Sequence, residues 1–224
     1  MTDDRFEAVD GYLAERYAPA EDALTAALAA NDAARLPPIA VSPTQGKLLQ
    51  LLARMIQARR ILEIGTLGGY SSLWLAGALP ADGRLITLEL NARHAAVARS
   101  NFVHAGLADH IELREGPALD SLAKLQAEGG GPFDFFFIDA DKVNSPNYLS
   151  WALKLAHRGS VIVIDNVIRD GAIVDPSSRD PAVLGTRRLH DMMAAEPRLS
   201  ATAIQTVGAK GYDGFTIALV TADP

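Results

Sequence analysis

Cysteine is absent from the 224-residue chain, which removes disulfides, thiolate nucleophiles and Cys-ligated zinc, and leaves redox chemistry silent on compartment. No apolar run approaches the roughly 20 residues that a membrane-crossing helix needs. The start, Met1-Thr2-Asp3-Asp4-Arg5, is acidic with no apolar stretch behind it. A soluble cytoplasmic protein without a membrane partner is the expectation. Basic charge is also short: 21 Lys and Arg against 27 Asp and Glu give a net charge of −6. The cations are scattered rather than clustered, so no nucleic-acid partner is expected. Histidine is sparse, with five residues and no pair at helical i, i+4 spacing, which gives little support to zinc or non-haem iron.

What the chain has is apolar residues, 49% of the total, enough to bury the core of one domain spanning 1–224. The first 40 or so residues are Ala-rich, with Leu24 and Leu28 four apart on a helical face, and end at Pro37-Pro38. They read as one or two helices forming an appendage, a lid or a dimer element. A capped helix is predicted over 45–58 behind Ser42-Pro43-Thr44. From there the pattern alternates. Strands are predicted at 60–64, 84–90, 111–114, 133–138 and 160–164, and helices at 71–79, 92–105, 119–127, 148–156 and 183–195. Two final strands, 199–205 and 214–221, are joined by a turn around Gly208, Gly211, Asp213 and Gly214. Strands alternating with helices imply an α/β fold: a doubly wound, Rossmann-like, seven-stranded and mostly parallel sheet. The C-terminal hairpin would add an antiparallel edge strand.

Two apolar strands end in oxygen donors. Phe135-Phe136-Phe137-Ile138 runs into Asp139-Ala140-Asp141-Lys142, and Val161-Ile162-Val163-Ile164 runs into Asp165-Asn166. The carboxyl edge of a parallel sheet is where ligands bind, and two such ends suit a small hard cation. An Asx-turn closing a strand would use the same residues. Glu63-Ile64-Gly65-Thr66-Leu67-Gly68-Gly69 sits where the first strand turns into a helix. Its spacing fits neither the dinucleotide fingerprint nor a P-loop. A tight turn without a ligand would use the same glycines. Glu89 ends the second strand, placed to accept from both hydroxyls of a ribose, so an adenosine ligand without a pyrophosphate is the better reading.

These residues, in order, resemble the cation-dependent O-methyltransferases, the group of caffeoyl-CoA and catechol O-methyltransferases: Glu63-Ile64-Gly65, Gly69-Tyr70-Ser71-Ser72, Glu89, Arg114-Glu115-Gly116-Pro117-Ala118, Asp139-Ala140-Asp141-Lys142 and Asp165-Asn166. The likeness runs from about Ile39 to the C-terminus. It implies the class I methyltransferase fold and S-adenosylmethionine held by Val41, Glu63, Gly65 and Thr66, by Ser71, Glu89 and Ala118, and by Asp139 and Asp141. In that scheme Glu63 takes the ammonium and Glu89 the ribose, Ala118 lies at the adenine edge, and Val41 closes over the methionine portion. It implies a divalent cation, Mg²⁺ first and Mn²⁺ or Ca²⁺ as substitutes, on Asp139, Asp165 and Asn166. Asp139 and Lys142 are then the catalytic pair, Lys142 acting as general base because a neighbouring cation and partial burial favour its neutral amine.

The implied acceptor is a small vicinal-diol phenolic, and the implied assembly a homodimer. The plant caffeoyl-CoA enzymes have an aromatic and an Asn before Gly after the Asp-Asn pair; here Arg169 and Asp170 precede Gly171. The irregular stretch 169–181 is therefore a candidate acceptor-facing loop. Gly211-Tyr212-Asp213-Gly214 keeps the family's Asp-Gly turn. A metal-independent methyltransferase of the same fold and a nucleotide-binding oxidoreductase are the competing readings.

Overall fold

The computed structural model describes residues 4–19 and 21–223; the acidic start Met1-Thr2-Asp3 lies outside them. Seven strands form one sheet in the order β3-β2-β1-β4-β5-β7-β6. β1 (Arg60–Ile64), β2 (Arg84–Glu89), β3 (Ile111–Glu115), β4 (Phe133–Ile138) and β5 (Ala156–Asp165) are parallel. β7 (Gly211–Val220) runs antiparallel between β5 and β6 (Leu199–Gly208). The chain winds outward from β1 through β2 to β3, then returns to β4 beside β1 and winds the other way. The strand order therefore reverses between β1 and β4, and a crevice opens at their carboxyl ends.

Because helices cover both faces, successive apolar residues of β1 and β4 are buried on opposite sides without alternation, Glu63 and Asp134 being the polar exceptions inside them. Leu62, Ile64, Phe136 and Ile138 pack with Leu122, Leu149, Leu189 and Met193, which lie on α6 (Ala118–Ala127), α7 (Ser145–Leu155) and α8 (Pro181–Ala195). Ile61, Phe135 and Phe137 face the other way, onto Leu24, Leu49, Leu75 and Phe102. Those belong to α2 (Asp22–Ala33), α3 (Pro43–Met55), α4 (Tyr70–Ala76) and α5 (Ala92–His104). Helix starts follow local chemistry: Ser42 Oγ accepts from Gln45 N ahead of Pro43, and Asp180 Oδ1 accepts from Ala182 N ahead of Pro181. α1 (Asp4–Tyr17) buries no residue, although Asp10 Oδ2 accepts from Ala209 N and ties it to the β6–β7 turn.

Three details differ from the sequence expectation. β5 starts at Ala156 rather than 160, and α7 therefore ends at Leu155. Phe133 pairs with Ala156 but Phe135 with Val161, so the polar residues 157–160 bulge out of register. Ser160 Oγ holds the detour by donating to Phe133 O and accepting from His157 N. The final hairpin turns through Ala209 and Lys210 alone, with Gly208 paired to Gly211, so Asp213 and Gly214 are strand residues rather than a turn. Finally, β7 is antiparallel but interior; the edge strand is β6, which is exposed along nearly its whole length.

Candidate functional site

A cavity of about 810 Å³ occupies the crevice between β1 and β4. Its floor is fixed by backbone pairing: Asp139 N donates to Ile64 O, and Gly65 N donates to Leu88 O. Gly65 sits at φ +100, and a Cβ there would lie 2.7 Å from the Asp139 carbonyl carbon, so only glycine lets the two strand ends approach. The cavity is lined by Gly65, Thr66, Glu89 and Ala118, and by Val41 from the segment before α3. Asp139, Lys142, Asn166 and Arg169 line it too, with Ser71 and Asp141, whereas Asp165 is not among the lining residues. Eight of the nine residues expected to hold the cofactor therefore share one cavity.

The ninth, Glu63, does not reach it. Its carboxylate is fully buried behind the wall and accepts from Ser71 Oγ and Thr87 Oγ1, at 2.6 Å each, and from Ser72 Oγ. Burial raises its pKa to about 7, overcoming the three hydroxyl donors, which pull the other way. In this structure Glu63 fastens α4 to β1 and β2. Glu89 is on the wall, and its oxygens organise the loop: Oε2 accepts from Thr66 N and Leu67 N, Oε1 from Asn91 N. His94 Nδ1 lies 3.5 Å from Oε1.

Lys142 Nζ donates to Asp139 Oδ1 at 2.8 Å, and both side chains are largely shielded. Asp165 is buried, with Oδ2 accepting from Gln45 Nε2 at 2.7 Å and Oδ1 from Asn166 N. Burial first, and then the charge of Asp139, push its pKa up to about 7. Among the described residues no three His, Cys, Asp or Glu side chains converge; the candidate set is two carboxylates and the Asn166 amide. That donor chemistry, acid gathered where burial opposes its charge, fits a hard divalent cation.

Several residues of the site carried no sequence signal. Gln45 reaches Asp165 from 120 positions away. Tyr148 donates its hydroxyl to Asp141 Oδ1, and burial and that bond raise the phenol's pKa; an aromatic inside a helix is otherwise read as core. Asp213 was legible only as a turn residue, yet its Oδ1 accepts from Ile168 N and Arg169 N and so holds the start of the loop after β5.

Residues 19–220 match the family model described as O-methyltransferase. The chain is 56% identical to a catechol O-methyltransferase of Mycobacterium tuberculosis, over 95% of this chain and 94% of that one. It is 50% identical to a catechol O-methyltransferase of Niastella koreensis, over 98% of this chain and all of that one. The crystal structure of the O-methyltransferase from Bacillus cereus in complex with SAH superimposes with a TM-score of 0.96 at 54% identity, covering 97% of this chain and 99% of that one. The fold expected from the sequence is thus the fold found, and the chain belongs to the O-methyltransferase family of methyl-transferring enzymes.

Proposed function

We propose that the protein transfers the methyl group of S-adenosylmethionine to a hydroxyl of a small vicinal-diol phenolic, of catechol or caffeoyl type, with the help of a divalent cation such as Mg²⁺. One observation carries this reading: a single cavity is lined both by Glu89 and the Gly65 loop and by Asp139, Lys142 and Asn166. Relatives named catechol O-methyltransferase and a relative's complex with SAH support the substrate and the methyl donor. Val41, Gly65, Thr66 and Ser71 would contact the donor's amino-acid portion, and Glu89 and Ala118 its nucleoside, with Asp139 and Asp141 between donor and acceptor. Glu63 acts from behind the wall.

A divalent cation on Asp139, Asp165 and Asn166 would stabilise the acceptor oxygen as a phenolate. The acceptor oxygen displaces the thioether in line: an O–C bond forms as the C–S bond breaks, and Lys142 takes the phenolic proton. Gln45 and Asn166 N orient Asp165, while Tyr148 and Asn144 hold Asp141. No covalent enzyme intermediate is needed.

Exposed Phe6, Val9, Tyr12 and Tyr17 lie on α1, a helix with no fully buried residue that packs against α3 and β6, and Ile204 and Val207 of β6 are exposed as well. These apolar residues support a homodimer, with α1 as a dimer element; light scattering on the purified protein tests it. Among the described residues no helix is long and apolar enough to cross a membrane, and a cytoplasmic site of action as one domain is part of the proposal. The functional test is methylation of a catechol by chelator-treated protein with labelled S-adenosylmethionine. Turnover should vanish and return with added Mg²⁺; full turnover after chelation removes the cation from the scheme and leaves the metal-independent reading.

A further inference from the structure

Arg169 is a cation on the cavity wall that the scheme above does not use. The other basic residues on the wall have partners: Lys142 donates to Asp139 and His94 lies beside Glu89. Among the described residues the Arg169 guanidinium has a single acidic neighbour, Asp213 Oδ2, at 3.9 Å from a terminal nitrogen. That is an ion pair too long for a hydrogen bond, and Arg169 Nε is buried with no acceptor. Asp213 is occupied elsewhere, its Oδ1 taking the backbone N–H groups of Ile168 and Arg169. A guanidinium offers five donors in a planar fork matched to a carboxylate, and a partly buried one with no hydrogen bond is an incomplete site.

The backbone beneath it is held in place. Arg169 and Asp170 sit at φ 54 and 53, in the left-handed region, a strained arrangement that persists only where its surroundings fix it. Asp213 clamps the entry to the loop. Arg187 Nε clamps its far side by donating to Ile173 O at 2.8 Å, and the Arg187 guanidinium also donates to Ala172 O. The guanidinium therefore projects from a braced loop three residues beyond Asn166, on the same wall as Lys142.

We infer that Arg169 selects acidic acceptors: a vicinal diol on an aromatic ring whose distal substituent carries a carboxylate, which the guanidinium grips while the diol meets the Asp139–Lys142 end. The inference rests on the proposed methyl transfer. A charge-assisted, two-pronged contact in a shielded cavity is strong enough to favour the acid over its neutral ester by about tenfold or more. Asp213 adds to the selectivity by keeping the guanidinium loosely tethered instead of neutralised.

The test compares 3,4-dihydroxybenzoate with its methyl ester, using wild type, Arg169→Gln and Arg169→Lys with S-adenosylmethionine and Mg²⁺. Wild type should show a kcat/KM ratio of acid to ester of about ten or more, arising in KM rather than kcat. In R169Q the ratio should fall toward one, and R169K should be intermediate, because a point charge keeps the attraction and loses the fork. Thermal stabilisation by dihydroxybenzoate in the presence of S-adenosylhomocysteine should follow the same order, and melting of each variant without ligand shows that it folds. A ratio near one in wild type, or a ratio unchanged in R169Q, overturns the selection of acids and leaves the methyl transfer standing. If wild type methylates neither compound nor plain catechol, the proposed function fails and takes this inference with it.

Discussion

Replacing Glu63 by Gln tests whether a fully buried carboxyl governs the acid side of this protein's stability. Burial holds Glu63 neutral up to about pH 7, against 4.5 for the unfolded group, despite three hydroxyl donors. The folded pKa is raised, so its contribution is fully present below pH 4.5, where both states are protonated. It is lost as pH climbs to about 7, because the unfolded chain ionises freely while the fold must keep the proton or bury the charge. At about 1.4 kcal/mol per unit, that window costs wild type about 3 kcal/mol. The introduced amide is isosteric with the neutral acid, and the hydroxyls of Ser71, Ser72 and Thr87 can rotate to serve it. E63Q should match wild type near pH 4.5 and exceed it by up to about 3 kcal/mol at pH 7.5, or roughly 6–12 °C in melting temperature. Urea unfolding of both proteins from pH 4.5 to 8 measures the difference. A stability gap independent of pH would refute the argument. S-adenosylhomocysteine affinity in E63Q discriminates further: loss of binding would restore Glu63 to direct contact, whereas a role behind the wall predicts only a modest change through Ser71.

Three further perturbations address the site and its supports. Lys142→Ala should lower kcat by about a hundredfold or more, as loss of a general base does, with little effect on S-adenosylhomocysteine affinity by calorimetry; unchanged turnover would defeat the base assignment. Gly185→Ala on α8 would put a Cβ 2.9 Å from Val143 Cα and 3.0 Å from the Lys142 carbonyl carbon, so the Lys142 turn must shift. Steady-state kinetics should show kcat reduced about tenfold or more while the protein still melts cooperatively. His157 is raised by its hydrogen bond to Asp134, so the stability it gives is complete below its unfolded pKa near 6.5 and fades as pH rises through the folded value. His157→Gln should therefore cost under about 1 kcal/mol at pH 6, given the pair's exposure, and nothing at pH 9, read by urea unfolding at both values.

What the sequence revealed and what it hid divide along a physical line. The strands β1, β4 and β5 announced themselves through short apolar runs, Ile61-Leu62, Phe135 to Ile138 and Val161 to Ile164, buried on both faces, and the polar ends of β4 and β5 marked the carboxyl edge. Asp139, Asp141, Lys142 and Asn166 line one cavity because each lies within a few residues of such an end, so chain proximity stands in for space. Gln45 had no such neighbour. It meets Asp165 only because α3 packs against the sheet, a contact that neither periodicity nor spacing encodes. Glu63 is the opposite case. Its position at the end of β1 was read correctly, but whether a side chain on a twisted strand points into the crevice or behind it depends on the three hydroxyls waiting for it. Two of these come from α4 and one from β2. Asp213 failed through residue type: an Asp-Gly pair signals a turn, yet here it continues β7 and turns its carboxylate toward the loop after β5. The surroundings of Asp139 and Asn166 are thus assembled from β4, β5, β7 and α3, which the chain visits far apart. The least regular segment, 169–181, is braced by residues 213 and 187 rather than by its own sequence, so acceptor choice is the property that local patterns reveal least.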